Sequence, residues 1–452
     1  MPPRRLRCLA AAALLALIAP AASAQSLEEA MTLSYTTNPT LLAARQELRA
    51  VDEQIAQAMA GWRPTVQGQG QLAYERQETD ISPWESTHPN EYSISLSQPL
   101  YRGGGTVAGV SQAENIIEAQ RANLTATEQQ VLLDTVAAYM NVVLARAILQ
   151  LTENNEARLA RQLEATEDRF RVGEVTRTDV SQARARFANA QAERVSAEGD
   201  LSTAAARFEE VIGVMPTELS RPGPLVGGPG ALDEAMTIAD AENPLIRAAI
   251  ATELAAQDGI DVQEADLLPD LALIASYTHS EDLNAVFAEQ NTAAIIAQLT
   301  IPLYQAGFEE SQLRAARSTA AQRRIEVDEA RRQVLAQLVS AWQDLETAQA
   351  QIAAFTEEVN ANQIALEGTE REAQVGERTV LDILDAEQEL FQSQINLANA
   401  QRNEVVASYT LQAALGRLTA AYLRLPVELY DVERHYEEAR DDWGIGEIFV
   451  GE

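Results

Sequence analysis

Cysteine is all but absent from this sequence. The one thiol, Cys8, lies close to the start of the chain. From residue 25 onward neither a disulfide nor a thiol nucleophile is available. Basic residues are scarce too, with 34 Lys+Arg against 67 Asp+Glu and a net charge of −33. That balance argues against a nucleic-acid partner, because binding phosphates needs a basic surface. Aromatics make up only 5%, and the wealth of Ala, Gln, Glu and Leu favours long helices over a compact core. No run of 18 consecutive apolar residues follows residue 24, so no transmembrane helix is expected. Membrane insertion is left to a β-barrel. His88, His279 and His435 show no metal-ligand spacing. No phosphate-cradling Gly loop and no Ser-His-Asp order stands out, so no catalytic, metal or cofactor site is expected and an enzyme is the remotest reading.

Residues 1–24 have the form of a secretory signal. Arg4, Arg5 and Arg7 precede the apolar stretch Leu9 to Ala19, and Ala22-Ser23-Ala24 is an A-x-A cleavage site. The stretch is too short for a membrane anchor. Cys8 precedes it, whereas a lipoprotein needs its cysteine at the cleavage point.

The remaining chain repeats itself. Leu27-Glu28-Glu29-Ala30-Met31-Thr32-Leu33 recurs as Leu232-Asp233-Glu234-Ala235-Met236-Thr237-Ile238, and Asn38-Pro39 recurs as Asn243-Pro244. Pro99-Leu100-Tyr101 returns as Pro302-Leu303-Tyr304, and Val172-Gly173-Glu174 as Val375-Gly376-Glu377. This many ordered matches marks a tandem duplication. The first repeat is assigned to 25–212, the second to 232–418, with a Pro- and Gly-rich linker at 213–231 and an acidic tail at 419–452.

Each repeat has the same order of parts. A short helix ends near Asn-Pro, and a second helix starts with Pro at its first position. A strand pair follows, at 64–101 and again at 269–304. Val66, Gly68, Gly70 and Leu72 alternate with Gln67, Gln69 and Gln71, and Tyr92, Ile94 and Leu96 alternate with Ser93, Ser95 and Ser97. Period two with one apolar and one polar face suits barrel strands between lipid and water, although any half-buried sheet alternates. Asp80–Asn90 and Asp282–Asn291 are read as loops. Tyr74, Trp84, Tyr92, Tyr101, Tyr277 and Tyr304 lie near strand ends, as an interfacial girdle or from simple strand preference. No Gly or Pro then occurs between Gly109 and Gly173, and only Gly368 between Gly307 and Gly376. That predicts a helix of about 68 residues, roughly 100 Å long, in each repeat. A return helix of about 37 residues follows each Val-Gly turn.

Four strands cannot close a membrane barrel, whose smallest known form has eight, so strands must be pooled between subunits. Two chains would enclose a filled interior, and three would leave a conduit. The sequence resembles the TolC family of outer-membrane efflux proteins over nearly its whole length after residue 24. The resemblance is carried by the duplicated Asn-Pro, the two Pro-Leu-Tyr-x-(Gly/Ala)-Gly junctions, Val172-Gly173-x-x-Thr176-x-x-Asp179-Val180 and Val375-Gly376-x-x-Thr379-x-x-Asp382-Ile383. It implies a mainly α fold with a membrane β-barrel. A twelve-stranded barrel is shared by three subunits, with four strands per chain, above a long α-helical tunnel. It further implies a homotrimer in outer-membrane lipid reaching into the periplasm. Such a channel conducts substrates passively from an inner-membrane transporter and a periplasmic adaptor (membrane fusion) protein, in drug efflux or type I secretion. The rival reading is a trimeric helical stalk or scaffold of the cell envelope without a pore.

The duplication acts as an internal control on candidate site residues. Thr176-x-x-Asp179 and Thr379-x-x-Asp382 both read as capping boxes. Asp385 is unshared, since its counterpart is Gln182, and it stands one turn from Asp382 on the same helix face. By resemblance, Asp382 and Asp385 line the narrow end of the tunnel as two carboxylate rings, where crowding would raise some of their pKa values. The bland alternative is a solvated helix face. Arg378, which faces Val175 in the first repeat, has two readings. By resemblance it latches across the subunit boundary to Thr178 and Asp179; otherwise it pairs with Asp382 on its own helix. The family's companion Tyr is Ala373 here. Val172, Gly173, Glu174, Val375, Gly376 and Glu377 are expected at the hairpin tips, which by resemblance meet the adaptor. The tail from Pro426 is expected to fold back on the tunnel or to lack order.

Overall fold

A computed structural model describes residues 25–79, 82–284 and 287–443. The signal segment at 1–24 and the last residues of the tail lie outside the described residues.

Each repeat opens with a short and a medium helix: α1 (Leu27–Thr37) and α2 (Pro39–Met59), then α5 (Leu232–Glu242) and α6 (Pro244–Ala265). The long helices are α3 (Gly105–Arg171) and α7 (Phe308–Gln374), each of 67 residues. They return as α4 (Arg177–Ile212) and α8 (Val380–Ala414). At 1.5 Å per residue each long helix spans roughly 100 Å. Beside α3 lie α2 and α4, and beside α7 lie α6 and α8.

The duplicated Asn-Pro makes each pair of shorter rods nearly continuous. The Asn38 side chain accepts from Thr40 N and so caps α2, while its amide donates to Val211 O at 2.9 Å at the end of α4. Asn243 repeats this, accepting from Leu245 N and donating to Ala414 O at 2.9 Å. One side chain thus satisfies orphan donors of one helix and an orphan carbonyl of the other. Both Asn residues are buried.

The rods wind as coiled coils. Along α3 the buried positions Ile117, Leu124, Val131, Ala138, Ala145, Thr152, Leu159 and Thr166 recur every seventh residue. Along α7 the same spacing holds for Ala320, Val327, Val334, Ala341 and Ala348. A strict seven-residue seam imposes a left-handed supercoil, and small residues in it let the rods approach closely. The main core gathers around Leu132, Val136, Tyr139 and Val142 of α3, packed by Leu41 and Leu48 of α2 and Phe208 and Ile212 of α4. One 18-residue window of α3 has mean hydropathy 1.6, and 44% of it is buried within the chain.

The strands form an antiparallel sheet in the order β1 (Thr65–Leu72), β4 (Asn90–Arg102), β5 (Asp270–Asn284) and β6 (Phe287–Thr300). A separate hairpin, β2 (Glu75–Thr79) with β3 (Ser82–Thr87), extends beyond it. Two loop assignments are corrected here. Residues 80–90 contain β3, and residues 282–291 are mostly the extended ends of β5 and β6. Backbone pairing continues past the membrane-sized alternating core, where side-chain patterning no longer reports it. Register aligns Val66, Leu96, Ala275 and Ile295 in one row, with Gly68, Ile94, Tyr277 and Ala293 in the next. The opposite face carries Gln69, Ser93, Thr278 and Thr292 in register. The alternation thus runs across these rows of all four strands, and Ile274 and Ile296 interrupt the polar face in the row of Ser97. The apolar face stands unpacked, with Ile94 61% and Ile295 78% exposed. Among the described residues, β1 and β6 each pair on one side only.

The tail is ordered up to its last described residues. Helix α9 (Arg434–Asp441) packs Ala439 and Tyr436 against Ile55 and Ile117. Arg121 grips Glu433 through its two terminal guanidinium nitrogens, Nη1 and Nη2, at 2.7 and 2.8 Å. Arg63 donates to Asp442 O at 2.7 Å and sits 4.8 Å from the Trp443 ring. Asp52, wholly buried on α2, takes a 3.2 Å contact from His435 Nδ1.

Candidate functional site at the helical hairpin tips

The two hairpins turn by the same local chemistry. In the first, Gly173 takes φ +85° and its N–H donates to Phe170 O, while Glu174 N donates to Arg169 O at 2.9 Å. In the second, Gly376 takes φ +82°, its N–H donates to Ala373 O, and Glu377 N donates to Glu372 O at 3.0 Å. This pair of bonds is the Schellman C-cap, whose left-handed residue favours Gly. Val172 and Val375, just before the glycines, are 72% and 74% exposed. The turns thus present Val-Gly-Glu at both tips.

Each return helix then starts with a closed capping box. Asp179 N donates to Thr176 Oγ1 at 3.3 Å and Thr176 N donates to Asp179 Oδ2 at 2.8 Å. The Thr379–Asp382 box has the same distances. Helix initiation therefore occupies Asp179 and Asp382. The bonds from Thr379, backbone first and hydroxyl second, hold the Asp382 carboxyl below the usual carboxylate range. Within one chain this is opposite in sign to the rise that crowding in a ring predicts: the charged form is what accepts both bonds.

Asp385 lies on the next turn of α8 and is exposed. With Asp382, Glu389, Gln392, Asn396, Asn399 and Asn403 it forms a polar stripe at spacings of three and four residues. The opposite face of α8 is apolar. Ile383 and Leu390 pack with Leu366 and Ala373 of α7, and Val380 and Leu384 pack with Leu159, Ala183 and Ala190 of the first hairpin. Ala373, in place of a Tyr, thus serves packing between α7 and α8.

Within the chain, Arg378 pairs across its own hairpin turn. Its Nε lies 2.9 Å from Glu372 Oε2, back across the turn, and that hydrogen bond reinforces the guanidinium's charge, with Asp382 a weaker influence. Thr178 and Asp179 stand on the other hairpin, at the start of α4.

Three residues of this region escape sequence reasoning. Glu372 is one. Arg186 is another: its Nη2 donates to Asp385 Oδ1 at 2.8 Å, joining α4 to α8. The third is Glu387, 4% exposed, whose carboxyl is pushed up to about 7 by burial, against the opposing pull of Arg158 and Arg161 and with a push from Glu370. Oε2 of Glu387 has no hydrogen-bond partner among the described residues. The seven-residue seam was its available signal, since Val380 and Glu387 are both buried seven apart. Nothing local marks Arg186, whose partner is 199 residues away.

The chain is similar to known proteins over nearly all of its described length. A family profile described as "Outer membrane efflux protein" matches residues 33–214 and again 236–417. The outer membrane efflux protein BepC of Brucella suis biovar 1 is 36% identical over 424 residues, covering 94% of this chain and 92% of that protein. Outer membrane protein TolC of Vibrio cholerae is 27% identical over 428 residues, covering 92% and 96%. Among solved structures, the CmeC outer membrane channel of Campylobacter jejuni shares the fold. Its TM-score is 0.79 at 14% identity, over 92% of this chain and 90% of that one.

Proposed function

The chain belongs to the outer membrane efflux protein family, and on that premise we propose that three copies form a passive conduit whose narrow end is the second hairpin's acidic stripe. It is an outer-membrane channel subunit of the efflux and secretion type. The finer assembly is the proposal. The unpaired edges of β1 and β6 pair with neighbouring copies, because lipid tolerates no open sheet edge. Twelve strands close with Ile94, Tyr277 and Ile295 toward lipid and the Gln and Ser rows toward water. The rods extend below as a tunnel. At its end Asp382 and Asp385 from each chain face the axis, and such rings favour cations over anions. Arg378 exchanges its Glu372 partner for Thr178 and Asp179 of a neighbouring copy when the tip closes. Val172, Gly173, Glu174, Val375, Gly376 and Glu377 dock a periplasmic adaptor, which couples the duct to an inner-membrane transporter. The chain performs no catalysis.

The observation that carries this reading is the four-stranded sheet with one lipid-compatible face and two free edges, set at the end of paired 67-residue rods. A pore-less stalk has no use for such a sheet. The test is reconstitution of the detergent-purified protein into planar bilayers. Stepwise, cation-preferring conductance from a heat-modifiable trimer is expected. Trimers without conductance would establish the stalk instead.

A further inference from the structure

Asp385 is not a free carboxylate. The Arg186 guanidinium meets it at 2.8 Å, and the two residues come from different repeats and different hairpins. Packing on both sides of the pair sets their meeting. Ala183, Ala190 and Phe187 of α4 flank Arg186 along its helix, and they share one apolar cluster with Val380 and Leu384 of α8, the latter adjacent to Asp385. The pair is thereby held by a docked helix face, unlike a surface pair that must order two long side chains by itself. Its members remain 38% and 53% exposed, so both stay in reach of ions. The repeats also differ in charge at these places. Arg186 and Gln182 on α4 correspond to Glu389 and Asp385 on α8. A cation thus stands on α4 where the second repeat carries an acid, and an acid stands on α8 where the first carries a neutral amide.

We propose that Arg186 is a selectivity-setting residue of the constriction, a built-in counter-charge that neutralises the Asp385 ring and leaves the Asp382 ring as the uncompensated one. The inference rests on the reading of Asp382 and Asp385 as pore-lining. Each chain then brings Asp382, Asp385 and the Arg186 counter-charge to the narrow end, with Arg378 engaged by Glu372 beside them. A close guanidinium cancels most of a carboxylate's field beyond a Debye length of about 8 Å at physiological salt. The channel is accordingly weakly cation-selective and weakly blocked by polyvalent cations, and Arg186 sets how weakly.

The test is single-channel recording of the full chain in planar bilayers, with reversal potentials in a KCl gradient and block by lanthanum ion. Arg186→Gln is expected to raise the cation-to-anion permeability ratio severalfold and to tighten lanthanum block about tenfold. Arg186→Lys is expected to behave as the parent, because the counter-charge remains. Asp385→Asn in the Arg186→Gln background is expected to abolish the gain. If Asp382→Asn with Asp385→Asn lowers selectivity while Arg186→Gln changes neither ratio nor block, the counter-charge role is overturned and the pore-lining reading stands. If the paired Asn variant leaves selectivity unchanged, the pore-lining reading itself falls. Heat-modifiable trimer migration of every variant shows that the recordings compare folded channels.

Discussion

Arg378 Nε lies 2.9 Å from Glu372 Oε2, closing an ion pair over the second hairpin turn. The first repeat has Val175 and Arg169 at the matching places and cannot make it. If Arg378 also serves as a latch between subunits, Glu372 competes for it. Removing the competitor by Glu372→Gln is then expected to lower the open probability in bilayers, and Arg378→Ala to raise it. Equal effects of the two variants would sink the competition.

Capping and the proposed constriction role separate at neighbouring residues. Thr379→Ala removes one box and is expected to destabilise the start of α8 by about 1 kcal/mol with no change in ion selectivity. Asp385→Asn is expected to do the reverse. Asp382→Asn should do both, since its carboxylate accepts the Thr379 bonds and, on the proposed assembly, lines the constriction. Hydrogen exchange across 376–390 reads the first effect, and reversal potential the second.

Glu387 makes stability depend on pH. Its buried carboxyl titrates at about 7 against an ordinary 4.5, with Arg158 and Arg161 on α3 and Glu370 on α7 acting on it. A raised folded-state pKa means that the stability present below about pH 4.5 is lost as pH climbs through 7. The loss is on the order of 3 kcal/mol by pH 8. Glu387→Gln is expected to raise the thermal midpoint at pH 8 and to leave it nearly unchanged at pH 5. A pH-independent gain would point to packing alone.

The tail clasp depends on a buried acid. Asp52 keeps one oxygen on His435, and the other has no hydrogen-bond partner among the described residues. Burial raises its pKa, and the His435 hydrogen bond only partly offsets that. His435→Ala strands the carboxylate and is expected to cost on the order of 2 kcal/mol. The practical sign is faster proteolysis of 430–443, with β-strand content intact by circular dichroism.

The two sheet faces should differ sharply in tolerance. Ile94→Arg places a charge on the face proposed for lipid and is expected to cost about 2–4 kcal/mol, lowering the yield of assembled trimer. Ser95→Arg, one residue on and facing the other way, is expected to assemble normally and to shift conductance. Similar yields for both would contradict the assignment of faces.

Much of this protein is set by local rules that can be read along the chain. Helix length follows from where Gly and Pro are missing, and α3 and α7 end at Val172-Gly173 and Val375-Gly376 because a left-handed Gly satisfies their last carbonyls. Strand faces follow from period two, and the capping boxes from Thr-x-x-Asp. The duplication made these signals countable, since each occurs twice. Family membership follows from the same motifs in the same order. What the chain's order could not decide is which charged groups meet. Arg186 and Asp385, Arg121 and Glu433, and Asp52 and His435 are each separated by at least 199 residues. Their pairing depends on how one rod docks on another, and hence on the summed packing of many seam residues. The hairpin β2–β3 and the partner of Arg378 escaped for a related reason: backbone pairing beyond an alternating pattern and a salt bridge over a turn leave no periodic trace. By itself the sequence determined the rods, the sheet and the turns, whose causes lie within a few residues. Only the tertiary structure decided the charge on the polar stripe of α8, because a carboxylate's electrostatics belong to whatever stands beside it.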